Sequence, residues 1–470
     1  MSESIAEMVI PGTYIEVRAE GLIGVGGIVT GNIGIVGTAG RGPVGEVRTL
    51  SSLADAIELY GLPDNADPTK ARLTGSPLTL ARTLQQAFEG GARNVLAVRA
   101  ANGDPTPATL DIDSADGKGF TLAAKGSGGE KSSGSWGQDL TVKVVVDATA
   151  PDVCQLTVSY RKRSEVFVGA NTEAVFNALA GSRFVTASGL DHKTSLLKPM
   201  ASTPLAGGTD GADVAVTDVA DALALLEDQP VNILLVAGMS AKTIGNVVQG
   251  HLQRTLNEGR ERIAVLGANE PGTATDAAKV IEDADALEND RVVLVAPGLV
   301  TADGTLPPSY LAAVVAGKLS TLAPHVSLTN KSLPATVDVR YSSGVVSTLL
   351  GKQVLVVRQK YGTQVVRGLT TSAPPFSQIS VRRTVDYAKA GVRLGSDPYI
   401  GRLNNARVRA ALQATLDGFL SQMVLDEMLT GYELSVTATR AQEIAGICSV
   451  VMNLKPTFSI DYIRVTMNLQ

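Results

Sequence analysis

VNILLVA (231–237), RIAVLG (262–267) and VVLVAP (292–297) are three short apolar runs that read as strands. Helical patterns fall between them, at about 240–259 and 273–288, and a further helix is expected at about 309–322. Strand–helix–strand alternation of this kind predicts α/β architecture, a mostly parallel sheet covered by helices.

The same rhythm occurs upstream. GNIGIVG (31–37) reads as a strand, and SSLADAIELYG (51–61) as a helix stopped by Gly61. Leu80, Leu84, Ala87 and Phe88 lie at i, i+4, i+7 and i+8, an amphipathic helix that Gly90-Gly91 ends before the strand NVLAVRA (94–100). The pattern stops at 100 and resumes after LAGGTDG (205–211). Residues 101–206 are rich in Gly, Ser, Thr and Asp, with strands expected at TVKVVVDA (141–148) and QLTVSYRKR (155–163). The expected architecture is multidomain: a discontinuous α/β domain (26–100 and 207–352) carrying a β-rich inserted outer domain (101–206).

From 353 the character shifts. QVLVVRQKYGTQVVRGL suggests a hairpin turning at Tyr361-Gly362, followed by helices at about 379–394 and 402–429, so 353–456 is expected as an α+β domain. Both ends look like strands without local partners. VIPGTYIEV, with Tyr14, Ile15 and Val17, lies in an arm (1–25); PTFSIDYIRVTMNLQ ends the chain in a second arm strand (457–470). There Phe458, Ile460 and Tyr462 share one parity and Ile463, Val465, Met467 and Leu469 the other, which a β-bulge near Tyr462 explains. Gly12, Gly21, Gly24 and Lys455-Pro456 are candidate hinges.

Composition excludes several classes. The chain has 470 residues and a net charge of −5, so it lacks the basic excess of a nucleic-acid binder. Glycine is abundant (48 residues) and aromatics scarce (4%), which favours turns and close backbone approaches. The start, MSESIAEMVIPG, has acidic residues where a secretory signal is basic, and no apolar run reaches membrane-spanning length; folding in a cytoplasm is expected. Cys154 and Cys448 form no C-x-x-C motif and are expected as buried reduced thiols.

No catalytic or cofactor constellation emerges. G-T-A-G-R-G (37–42) follows a strand but is not G-x-G-x-x-G, and Pro43 and Gly45 separate it from any helix that would hold a pyrophosphate. His192, His251 and His325 are scattered; His251 is expected on a helix surface, and Glu282, Asp283 and Asp285 as a solvated helix face. Neither a metal nor any other cofactor is expected. One charge feature stands out: residues 358–409 hold ten basic and two acidic residues. Such a surface suits an acidic partner through steering and charge pairing.

Several stretches, in this order, resemble the contractile tail sheath family. PGTYIEV (11–17) with IGIVGTAGRGPVGEV (33–47) is similar to its amino-terminal signature, and SGSWGQDLTV (133–142) to the Trp-Gly motif at the edge of its inserted domain. LAGGTDG (205–211) resembles the stretch after that insertion. RGLTTSAPPFSQISVRRTVDYAKAGVR (367–393) and DPYIGRLNNARVRAALQATLDGFLSQMVL (397–425) resemble the carboxy-terminal domain. The resemblance implies a structural subunit rather than an enzyme. It would form a helical homopolymer of hexameric rings around an inner tail tube protein, with baseplate and tail terminator proteins as further partners. No direct nucleic-acid contact and no membrane insertion are implied; the place is the virion tail, assembled in the host cytoplasm. The carboxy-terminal domain would face the tube, with Arg382, Arg383, Arg393, Arg402, Arg407 and Arg409 as basic candidates. Tyr14, Ile15, Val17, Ile460, Tyr462, Ile463, Val465 and Met467 would add strands to neighbouring subunits. A headless injection device or tailocin sheath is the alternative within this class. A Rossmann-like metabolic enzyme is the alternative outside it.

Overall fold

The computed structural model describes residues 27–63, 78–126, 133–146, 153–270, 272–302 and 304–468. Tyr14, Ile15 and Val17, and the hinges at Gly12, Gly21 and Gly24, lie outside the described residues. The chain divides into two compact units: 31–322 with 328–379, and 380–468 with 27–30 and 323–327.

The first unit opens with β1 (Ile33–Thr38), β2 (Val47–Leu50), α1 (Leu53–Tyr60), α2 (Leu80–Glu89) and β3 (Val95–Ala100). The insertion contributes β4 (Thr109–Ser114), β5 (Gly117–Ala124), β6 (Leu140–Val146), β7 (Cys154–Tyr160), β8 (Arg163–Gly169), α3 (Thr172–Ala178), β9 (Val185–Ser188) and β10 (Met200–Pro204). The core then resumes with α4 (Val216–Ala224), β11 (Ile233–Val236), α5 (Ala241–Asn257), β12 (Ile263–Gly267), α6 (Ala278–Ala286) and β13 (Val292–Ala296). After β14 (Leu299–Thr301), β15 (Gly304–Leu306), α7 (Pro308–Ser320), β16 (Thr336–Val337) and α8 (Ser343–Gly351) come β17 (Leu355–Gln359) and β18 (Thr363–Val365).

Eight strands form one sheet in the order β18-β17-β13-β12-β11-β1-β3-β2, parallel except for the two edge strands. Its apolar strands alternate between two cores. Ile233, Leu235, Val265, Val293 and Val295 face one; Leu234, Val236, Leu266, Val292 and Leu294 face the other. A strand buried on both faces needs such an unbroken apolar run, which is why 231–237, 262–267 and 292–297 read as they do.

The hairpin at 355–365 corrects the boundary expected at 352/353. β17 pairs in parallel with β13, so these residues complete the large sheet, and the unit ends at Ile379.

In doubly wound sheets ligands enter where strand order reverses, beyond the carboxyl ends of the strands. Here that place lies between β1 and β11, and it is filled. A Cβ on Gly37 would meet that of Ala237 at 2.4 Å, and one on Gly238 would meet Thr79 at 2.3 Å. Thr79 N–H also donates to Thr38 Oγ1 (3.1 Å). The cavity beside Thr38 and Ala39 measures about 10 Å³, barely room for one water. A dinucleotide has no space at this position.

The insertion is attached by a neck in which entering and leaving chains pair, Asn102 with Ala212, Thr106 with Thr209 and Thr109 with Ala206. It contains two small antiparallel sheets, β10-β6-β7-β8 and β4-β5-β9, around a core that includes Phe120, Trp136, Leu140 and Leu156.

The second unit holds α9 (Ile379–Ser396, from Ser380 onward), α10 (Ala406–Leu425), β19 (Leu429–Thr437), α11 (Arg440–Ile444) and β20 (Ser449–Pro456). Gly391 permits the closest helix approach: a Cβ there would lie 2.0 Å from the Phe419 ring.

Three side chains differ from expectation. Asp283 is buried and accepts the Asn269 N–H (2.7 Å), leaving Glu282 and Asp285 as the exposed acids. Cys154 is buried as expected, but Cys448 is exposed; both are free thiols. His251 is buried, not on the surface, because Arg262 reaches under α5 to place a guanidinium nitrogen 3.0 Å from its Nε2.

Burial, then the charges of Arg262 and Arg254, push the His251 pKa from 6.5 down to about 3. A depressed folded-state pKa means that its contribution is intact above 6.5 and is lost as pH falls toward 3. The unfolded chain takes up a proton there that the folded one refuses. Stability should decline by up to about 1.4 kcal/mol per pH unit in that window. Urea unfolding of wild type and His251→Gln between pH 4 and 7 checks this: the variant should show a flatter dependence, and equal slopes would refute the assignment.

Candidate functional site

Two places gather the residues that the sequence singled out. The first is a buried seam between sheet and insertion. Arg99, at the end of β3, is almost fully buried, and its guanidinium donates to the carbonyls of Gly42 and Ser133 (both 2.7 Å). It also lies 3.4 Å from Asp210 Oδ1, which accepts the Ser135 N–H at 2.9 Å. Gly134 passes so close to Gly40 that a Cβ would meet its carbonyl oxygen at 2.2 Å. Arg41 stacks 4.4 Å over the Trp136 ring. GTAGRG (37–42), SGSWG (133–137) and LAGGTDG (205–211) therefore meet around one arginine. The glycines allow the close backbone approaches, and the charge is met by two carbonyls and a carboxylate. The glycine-rich turn is a structural joint.

The second place is on the carboxy-terminal unit. β19 and β20 form an antiparallel ladder of only two strands among the described residues, from Leu429↔Pro456 to Thr437↔Ser449. Tyr432, Leu434, Met452 and Leu454 alternate onto the core with Phe419 and Leu420 of α10, which supports an otherwise marginal two-stranded sheet. Its outer backbone edges have no third strand among the described residues. Such edges are templates for pairing with another chain.

The chain beyond Thr457, whose N–H donates to Met428 O (3.1 Å), forms no ladder with any other described residue through residue 468. It nonetheless carries Phe458, Ile460, Tyr462, Ile463, Val465 and Met467 into solvent, with Ile460 80% and Met467 85% exposed. A run this apolar is unusual on a free surface.

The six basic candidates separate. Arg382 and Arg383 are buried, a correction to their expected outward role. Arg382 pairs with Asp386 one helical turn on (2.9 Å), and Arg383 donates to Thr30 O (3.0 Å), with burial lowering its pKa to about 10. Arg409 is half-buried and held by Glu443 (3.0 Å) and Asn404 Oδ1 (2.9 Å). Arg393, Arg402 and Arg407 are exposed, and Arg402 packs over Tyr399. Arg407 lies in the first turn of α10, where the helix dipole disfavours a cation, so its own fold gives it no electrostatic support.

Sequence reading passed over two parts of these sites. β19 lies just beyond the helix expected at 402–429, in a stretch given no element, although Tyr432, Leu434 and Val436 alternate. The Arg99–Asp210 contact spans 111 residues, and no local pattern signals it.

Among the described residues no group of three or more His, Cys, Asp or Glu could hold a metal, and no helix is long and apolar enough to cross a membrane. Residues 371–470 match the family model of the phage tail sheath C-terminal domain. The tail sheath protein of Mycobacterium phage Bxz1 is 26% identical over 289 residues, 56% of this chain and 48% of the relative; the chain thus spans about half the length of this curated relative. The fold is similar to that of a sheath tail protein from Desulfitobacterium hafniense (TM-score 0.71, 19% identity, 95% of this chain and 100% of that one). It is also similar to the helical sheath of the anti-feeding prophage in its contracted state (TM-score 0.55, 15% identity, 98% and 99%). The chain carries a match to the phage tail sheath C-terminal domain, is similar in sequence to a phage tail sheath protein, and has a fold similar to that of sheath proteins.

The seam makes a direct prediction. Arg99→Leu leaves two carbonyls and the Asp210 carboxylate without their charged partner and should cost about 3–5 kcal/mol. Urea unfolding measures it, and a loss below about 1 kcal/mol would show that the seam is not held by this charge.

Proposed function

We propose that the chain is the subunit of a contractile tail sheath. It polymerises as a helical array of hexameric rings around an inner tube and shortens to drive that tube through a cell envelope. Baseplate and terminator proteins would bound the array, in a virion tail assembled in the host cytoplasm. The product is mechanical, with no reaction catalysed.

The observation that carries this reading is the two-stranded ladder with edges that carry no third strand among the described residues, beside a tail whose large apolar side chains stand exposed. Burying five or six such side chains is worth on the order of 10 kcal/mol. Ordering a tail of this length costs a similar amount, at about 1–2 kcal/mol per residue. Backbone hydrogen bonds to a neighbour's ladder decide the balance, which is why an extended strand is the useful shape. A head-to-tail contact of this kind is heterologous and propagates into an open helix. Tyr14, Ile15 and Val17 would serve as the second arm. Arg393, Arg402 and Arg407 are the candidates for facing an acidic band on the tube, each exposed pair worth only about 0.2–1 kcal/mol but repeated at every subunit.

The energy for contraction would lie between subunits, with the extended form held by a barrier above a more stable contracted one. The likeness to the sheath of the anti-feeding prophage leaves a headless injection device as the second reading. The curated relative, a phage protein, favours the first.

Deleting residues 457–470 should leave a folded, soluble chain with wild-type unfolding behaviour that forms no tubes. Negative-stain microscopy and sedimentation check both halves. Normal tubes from the truncated protein would overturn the proposal.

A further inference from the structure

A cleft of about 960 Å³ lies between α1 and the β7–β8 hairpin, away from the seam's buried charge and from the open ladder. Its rim is basic: Arg161, Lys162 and Arg163 at the hairpin turn, and Arg183 opposite, against the carboxylates Glu58 and Glu165. Ile57 and Leu62 supply apolar lining. Glu165 is occupied within the insertion, accepting from Ser182 Oγ (2.7 Å) and the Arg183 N–H (3.2 Å). Arg161, in a left-handed conformation (φ 55°), stacks 5.6 Å over Tyr160, with Asp139 at 3.9 Å. Lys162, Arg163 and Arg183 are exposed, and among the described residues no carboxylate lies within 4 Å of their side chains.

Like charges gathered on one wall repel one another and focus a positive potential into the concavity. Burial lowers the pKa of Arg41 at the inner end, with Tyr160 and Glu58 offsetting part of that, while the four exposed cations of the rim outnumber the cleft's two carboxylates. The cleft is therefore built to receive negative charge.

We infer that the cleft docks a second copy of this chain through the acidic face of α6. That helix is convex and presents Glu282 and Asp285, with Glu288 just beyond its end, at three-residue spacing. Asp285 is shared with Lys352 (3.0 Å), but among the described residues no cation lies within 4 Å of Glu282 or Glu288. Asp283, the intervening acid, turns inward to Asn269, and exposed Lys279 is engaged by Glu270, so Glu282 and Glu288 remain as the unpaired charges of this face among the described residues. A convex carboxylate face and a concave basic one on the same chain make a heterologous contact that can repeat from copy to copy. The inference rests on the self-assembly reading, which supplies the second copy at high local concentration.

Disulfide trapping tests it in the full chain carrying Cys448→Ser, since Cys154 is buried. Lys162→Cys protein mixed with Glu288→Cys protein should give about tenfold more mixed dimer than Lys162→Cys mixed with the control Thr217→Cys. Reversing the cleft charges (Arg163→Glu with Arg183→Glu) should abolish the excess, and Glu282→Lys in the partner should restore part of it. Equal yields with the control, or no restoration, would overturn the pairing. Tubes without the specific dimer would leave the sheath reading standing and the cleft without this role. The specific dimer without tubes would do the reverse. Loss of tubes on charge reversal without the dimer would point to another acidic partner and refute α6.

Discussion

A two-stranded ladder cannot satisfy its own outer edges, and the carboxy-terminal unit is built around one. β19 and β20 bury one face on α10 but end in backbone edges without a third strand among the described residues. The chain then continues into a tail that holds six large apolar side chains in water. On the proposed reading copies of the chain complete one another, because a strand would supply the hydrogen bonds and the apolar side chains the burial that each lacks.

Within the larger unit the packing is continuous from the sheet to the insertion. Each buried strand of the large sheet feeds two cores at once, so no face can loosen without exposing the other. Arg99 fixes the insertion to that sheet at the one point where three glycine-bearing turns come close enough to share its charge. The crevice that would hold a cofactor in a related topology is occupied by Thr79 and its neighbours, and the sheet acts as a strut.

The central sheet was legible because its strands are apolar on both faces and its helices are regular. The insertion's limits were legible from the loss of that rhythm at 100 and its return near 212. What escaped depends on three-dimensional neighbours. His251 sits in a polar stretch and is buried only because Arg262 reaches it. Arg382 and Arg383 look like surface charge until Asp386 and the Thr30 carbonyl are placed beside them. The 353 boundary failed because a hairpin of ordinary pattern pairs with a strand 60 residues earlier. Cys448 looked like an interior thiol but lies on a surface segment preceding β20. The β19–β20 hairpin was missed although its alternation is present in the sequence, since a helix directly abuts it.

The central claim is that the tail completes a neighbour's ladder, and the density of an assembled polymer tests it most directly. Electron cryomicroscopy of tubes grown from the full chain should show residues 457–468 extended and hydrogen-bonded along β19 or β20 of an adjacent subunit. Finding that segment folded back on its own subunit, or standing free of every ladder in well-resolved tubes, would contradict the account.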